Sequence, residues 1–92
     1  MSLDVFILMT LTIWENEQKL RRAFAAGLRL AESEVTEDLP YANSAAWDPV
    51  AHTALVASLD ETFDIRLDTD DVIDLSSYVR AREILAKYGI QF

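Results

Sequence analysis

The pair Asp48-Pro49, placed just ahead of Leu55, Val56, Leu59 and Phe63, fixes where a helix must begin. An aspartate side chain accepts a hydrogen bond from an amide of the first turn. Proline suits the first helical position because its missing N–H would have no intrahelical partner there. The apolar spacing that follows is the 3.6-residue period of one buried face. Leu20, Ala23, Phe24, Gly27 and Leu28 show the same period earlier in the chain. They predict a helix over about residues 15–30, with Asn16 as its N-cap and Lys19, Arg21, Arg22 and Arg29 off the stripe in water. With only 2 Gly and 2 Pro among 92 residues, helices are favoured throughout.

The other segments fit an all-α reading. Residues 31–48 carry no sustained period; Leu30 and Val35 are expected to plug the core, and Pro40, Asn43 and Ser44 to mark turns. Ile65 and Leu67 anchor a link. Asp68 or Thr69 then caps a brief helix over residues 70–74, with Val72, Ile73 and Leu75 turned inward. Ser76 or Ser77 starts the last helix, whose apolar positions are Tyr78, Ala81, Leu85 and either Tyr88 or Ile84. Gly89 ends it. This gives one helical domain over residues 15–92 behind an apolar extension, residues 1–14.

Residues 5–14 are too few to span a bilayer, which takes about 20 apolar residues. They also lack the basic start and small-residue cleavage site of a signal peptide. Their β-branched and aromatic content suits strand pairing with another copy, so self-association through this segment is one expectation.

Composition excludes several chemistries. There is no cysteine, hence no disulfide, thiolate nucleophile or cysteine zinc site; a reducing cytoplasm fits that usage. A single histidine, His52, excludes a His-rich metal centre. It sits on the margin of the second stripe, where a packed, half-buried role is expected rather than a ligand role. The run Asp68-Thr69-Asp70-Asp71 fails as a calcium loop, because the sixth and twelfth positions are Ile73 and Val79 instead of glycine and glutamate. No phosphate-binding glycine loop and no nucleophile–histidine spacing occurs, so no catalytic residue is assigned and the chain is read as a non-enzyme.

The net charge of −8 opposes nucleic-acid binding. Nearly all of it lies between Asp48 and Asp74, where Asp48, Asp60, Glu61, Asp64, Asp68, Asp70, Asp71 and Asp74 face one base, Arg66. Such a patch attracts basic protein surfaces and speeds encounter, or serves simply as a solvated face.

From Trp47 to about Leu85 the chain resembles the acyl carrier protein family. That family's Asp-Ser-Leu, its apolar helix and its acidic-Phe-acidic turn correspond to Asp48-Pro49-Val50, Leu55-Val56, Leu59 and Asp60-Glu61-Thr62-Phe63-Asp64. Its acidic short helix, hydroxyl cap and last helix correspond to Leu67 through Tyr78 and beyond. With the Leu20–Leu28 stripe and Val35, the likeness covers about residues 15–88. The resemblance implies a four-helix bundle of three longer helices and one short one. It implies that the second helix is a recognition helix, with Val50, Thr53 and Ala57 as contact spots. Asp60, Glu61 and Asp64 would meet basic surfaces of acyl-transferring or carrier-modifying enzymes of fatty-acid or polyketide metabolism. Asp48 matches the aspartate beside the attachment serine.

At the attachment position the sequence departs from the family: Pro49 stands where the serine would carry 4′-phosphopantetheine. Proline has no hydroxyl, so no cofactor is expected as written; a serine at position 49 would restore the expectation. Ser44 and Thr53 are nearby hydroxyls outside the family's geometry. Three readings follow: a small acidic carrier that shuttles acyl or aminoacyl groups, a non-acylated interaction module with the same bundle, and a self-associating structural subunit.

Overall fold

The computed structural model describes the backbone of residues 2–39 and 47–92. The expected turns at Pro40, Asn43 and Ser44 lie outside those residues. Helix α1 spans Ser2–Leu28 and is followed by one 3-10 turn, Glu32–Glu34. Helices α2 (Pro49–Phe63), α3 (Thr69–Asp74) and α4 (Tyr78–Ala86) complete an all-helical bundle, and no strand element forms among the described residues.

Helix α1 packs chiefly on α2. Leu20, Phe24, Leu55, Leu59, Ile84 and Leu85 are each no more than 1% exposed, so both sequence stripes and the last helix converge on one core. Leu30 and Val35 plug it as expected, half-buried and fully buried. Trp47, 2% exposed, is a core residue that no periodicity announced. Its indole meets Phe24 edge-on with centroids 5.4 Å apart, and Phe24 in turn leans on Tyr78 at 5.1 Å. Such aromatic pairs add about 0.5–1.5 kcal/mol beyond their area burial.

The structure corrects the reading of the N-terminus. Residues 5–14 are helical, not a strand-forming extension, and α1 passes residues 14 and 15 without a break. Asn16 therefore lies inside the helix instead of capping it; its Nδ2 donates to the Gln91 carbonyl at 3.0 Å. A strand here would leave its amides without partners, whereas a helix satisfies them within the segment. Extending α1 also needs no new nucleus, since residues 15–28 already provide one. Thr12, β-branched and unfavourable on propensity alone, donates its hydroxyl to the Leu8 carbonyl at 2.9 Å.

Three helices stop in the same way. Arg29 (φ 56°), Asp64 (φ 52°) and Gly89 (φ 89°) take left-handed backbone just beyond α1, α2 and the turn after α4. In each case the next amide reaches back five residues: Leu30 to Ala25 at 2.9 Å, Ile65 to Asp60 at 3.0 Å and Ile90 to Leu85 at 3.2 Å. This closure satisfies carbonyls that the helix leaves open. Gly89 stops the last helix as its identity predicts; Arg29 does the same job with a side chain that resists the conformation.

The short helix α3 is rotated from expectation. Val72 is half-buried and Leu75 buried, as expected, but Ile73 is 76% exposed and Asp71 points inward at 7%. A buried carboxylate costs little when two donors meet it, and here Lys87 and Tyr88 do so.

Candidate functional site

Helix α2 carries the residues to which the sequence points. Asp48 caps it, its Oδ1 accepting from the Ala51 amide at 2.8 Å, and Pro49 takes the first turn as its rigid φ favours. With Leu55 and Leu59 buried toward α1, the opposite face is left to water. Val50, Thr53, Ala57, Glu61 and Asp64, spaced three or four residues apart, are all exposed and form one line along that face. Val50 is 80% exposed. The Thr53 hydroxyl is turned back to the Pro49 carbonyl at 3.2 Å.

Asp60 stands apart from its acidic neighbours. It is half-buried, and its Oδ1 accepts from the Leu67 amide at 3.0 Å, closing the link between α2 and α3. It therefore holds the fold as well as adding charge. Glu61 and Asp64 are exposed, and no hydrogen bond or ion pair within the chain involves either carboxylate among the described residues.

His52 links three parts of the site. Trp47 Nε1 donates to His52 Nδ1 at 2.9 Å, and His52 Nε2 lies 2.8 Å from the Val72 carbonyl. An indole N–H only donates and a carbonyl only accepts, so the neutral ring carries its proton on Nε2. The imidazole also lies nearly parallel to the indole, 21° between planes. The half-buried role expected for His52 is what the geometry gives it, with α2 tied to α3 through one ring. Beside it, His52, Val72, Ile73, Leu75 and Ser76 line an open groove. A second groove of about 200 Å³ runs from Gly27 and Arg29 to Asp48, Val50 and Ala54, at the start of α2.

Helix α4 and the turn that follows it lock this arrangement from behind. Lys87 Nζ and Tyr88 Oη donate to the two oxygens of Asp71 at 2.5 and 2.6 Å, and the Asp68 amide donates to Tyr88 Oη at 2.8 Å. Hydrogen bonds from Lys87 and then Tyr88 hold the Asp71 carboxyl below the usual carboxylate range. The same contacts raise Lys87 and Tyr88. Arg80 bridges Asp74 and Glu83. The Asp71 and Asp74 carboxylates thus go to separate partners, and no cluster among the described residues is arranged to hold a metal ion.

A further polar contact joins α1 to α4. Tyr78, 1% exposed, donates to Glu17 Oε2 at 3.1 Å. Arg82 Nε stands 2.9 Å from Glu17 Oε1, an ion pair whose angle does not make a hydrogen bond, while its Nη2 meets Glu37 at 2.5 Å. Burial first, and then the neighbouring negative charge of Glu17, push the Tyr78 hydroxyl up to about 12.

Sequence reasoning located the α2 line but missed Ile73, whose exposed side chain adds apolar surface beside His52. A six-residue helix is too short to reveal which of its faces is inward. No helix among the described residues is long and apolar enough to cross a membrane. The chain matches no protein-family model, no curated protein and no solved structure.

Proposed function

We propose that this chain is a carrier-like interaction module, not an enzyme. It offers the exposed face of α2 to the basic surface of an acyl-transferring or carrier-modifying enzyme in fatty-acid- or polyketide-type chemistry, in the cytoplasm. The observation that carries the reading is the line Val50, Thr53, Ala57, Glu61 and Asp64, which begins beside Pro49 at the capped start of α2 and passes from apolar to acidic. An apolar patch supplies contact area, and exposed carboxylates steer a basic partner and fix its orientation.

Pro49 does not fit 4′-phosphopantetheine, because attachment requires a side-chain oxygen and proline has none. Binding through the α2 face needs no such arm. Proline at the first helical turn keeps the scaffold while removing the chemistry.

Intact mass after incubation with coenzyme A and a promiscuous phosphopantetheinyl transferase tests this, with Pro49→Ser run alongside. The expected result is that only the serine variant gains the arm. Gain by both would place an attachment oxygen elsewhere and overturn the arm-free reading. Gain by neither would remove support for a carrier-type surface.

A further inference from the structure

The first half of α1 carries an apolar surface that the bundle does not cover. Val5, Ile7, Leu8, Met9, Leu11 and Trp14 are each between 48% and 62% exposed. Contiguous exposed apolar side chains of this kind mark interaction surfaces on water-facing proteins. Ile7, Leu11 and Trp14 follow one another at helical spacing with Leu8 beside them, so they form a continuous stripe.

We propose that residues 5–14 pair antiparallel with the same segment of a second copy of this chain, Ile7, Leu8, Leu11 and Trp14 making the seam. Charge selects this occupant. Residues 5–14 contain no charged side chain, so the seam buries none. Across α1, Asp4, Glu15 and Glu17 are balanced by Lys19, Arg21 and Arg22, which leaves the net −8 on the rest of the chain. A second copy of an acidic protein therefore meets least repulsion along α1. Antiparallel pairing also sends the two acidic bodies to opposite ends, whereas parallel pairing would set them side by side.

The same charges argue against a lipid surface. Helices that lie on membranes carry Lys and Arg on their polar face, and no base precedes Lys19 here. On its other side the segment meets the end of the chain: Met9 and Ile13 border a groove with Ile90 and Phe92. That packing holds one side of the helix against the bundle and leaves the Ile7–Trp14 stripe facing outward.

Sedimentation equilibrium of the whole chain at tens of micromolar tests the proposal. The expected mass is twice the 10.4 kDa of one chain, falling to the single-chain mass for Leu8→Glu/Leu11→Glu with unchanged far-UV circular dichroism. Trp14 emission should shift to the red on dilution, a change absent from Trp14→Phe. Single-chain mass up to several hundred micromolar would overturn the pairing, as would a dimer that survives both glutamates. Single-chain protein that cosediments with phosphatidylcholine vesicles would assign the stripe to lipid instead. Orientation is read from Ser2→Cys under mild oxidation: antiparallel copies keep these residues apart and stay uncrosslinked, and rapid crosslinking within the dimer would overturn the antiparallel arrangement.

Discussion

Gly27 and Leu55 bring the backbones of α1 and α2 into close approach: a Cβ on Gly27 would stand 2.6 Å from the Leu55 Cα and 3.0 Å from its amide nitrogen. No flexible side chain can yield there, because the obstruction is backbone. The glycine fits the apolar stripe by its position in the helix, but what it contributes is the absence of a side chain.

Gly27→Ala sets two effects against each other. Inside a helix the change gains up to about 1 kcal/mol in propensity. Forcing α2 away from α1 costs about 1–3 kcal/mol or more, since the core moves with it. Net destabilisation is expected, read as a lower urea midpoint with α1 still helical by circular dichroism.

Arg29→Gly should do the reverse. Arg29 holds φ at 56° with a Cβ that disfavours it, and glycine removes that cost at a position whose closure rests on backbone alone. A gain of about 0.5–1 kcal/mol in urea unfolding is expected.

Asp60 and its neighbours should separate folding from binding. Asp60→Ala removes the acceptor of the Leu67 amide and should lower stability by about 1 kcal/mol, while Asp60→Asn keeps an acceptor and should recover most of it. Glu61→Gln and Asp64→Asn should leave the urea midpoint nearly unchanged, asparagine being well tolerated in left-handed backbone. Both should slow association with a basic partner, an effect that added salt erases. Equal association rates at low and high salt would contradict the electrostatic role.

High pH should weaken the fold through Tyr78. Its hydroxyl ionises near 10 in an unfolded chain and near 12 in the bundle. Below 10 both states hold the proton; between 10 and 12 only the folded state does, so stability is lost as pH rises through that window. Lys87 and Tyr88, also raised, act in the same direction. Tyr78→Phe should remove part of the loss in urea unfolding measured across that range. The phenolate absorbance should show late-titrating tyrosine, and a smaller late step in Tyr78→Phe would identify the Tyr78 share, the remainder belonging to Tyr88.

His52 should appear as the Nε2–H tautomer in nitrogen NMR of the neutral ring, because Trp47 donates to Nδ1. His52→Ala removes a partner of both Trp47 and Val72 and should cost about 1–3 kcal/mol, with Trp47 emission moving as its packing loosens.

What could be read from the sequence follows from how local the physics is. Asp48, Pro49, Ser77 and Gly89 act on the turn they belong to, so their identities suffice; Ser77 accepts from the Arg80 amide as a cap should. The stripes of α1 and α2 repeat often enough to fix a face. The start of α1 could not be read that way, because β-branched residues at 5, 7, 10, 12 and 13 resemble a strand until helix already formed downstream decides the matter. The orientation of α3 depends on Lys87 and Tyr88, sixteen and seventeen residues beyond Asp71, and Trp47 depends on Phe24. Within the site, the period of α2 fixes its buried stripe and the resemblance supplies the line opposite it, whereas the tether role of Asp60 and the His52 linkage depend on segments that only the fold brings together.

The unbroken run of α1 from Ser2 to Leu28 gives the molecule a stiff shaft about 40 Å long, one end seated in the bundle and the other outside it. A flexible leash would let the bundle swivel freely about whatever grips residues 5–14. A shaft has no such slack: its holder also aims the Val50–Asp64 face, so anchorage and direction are set by the same helix.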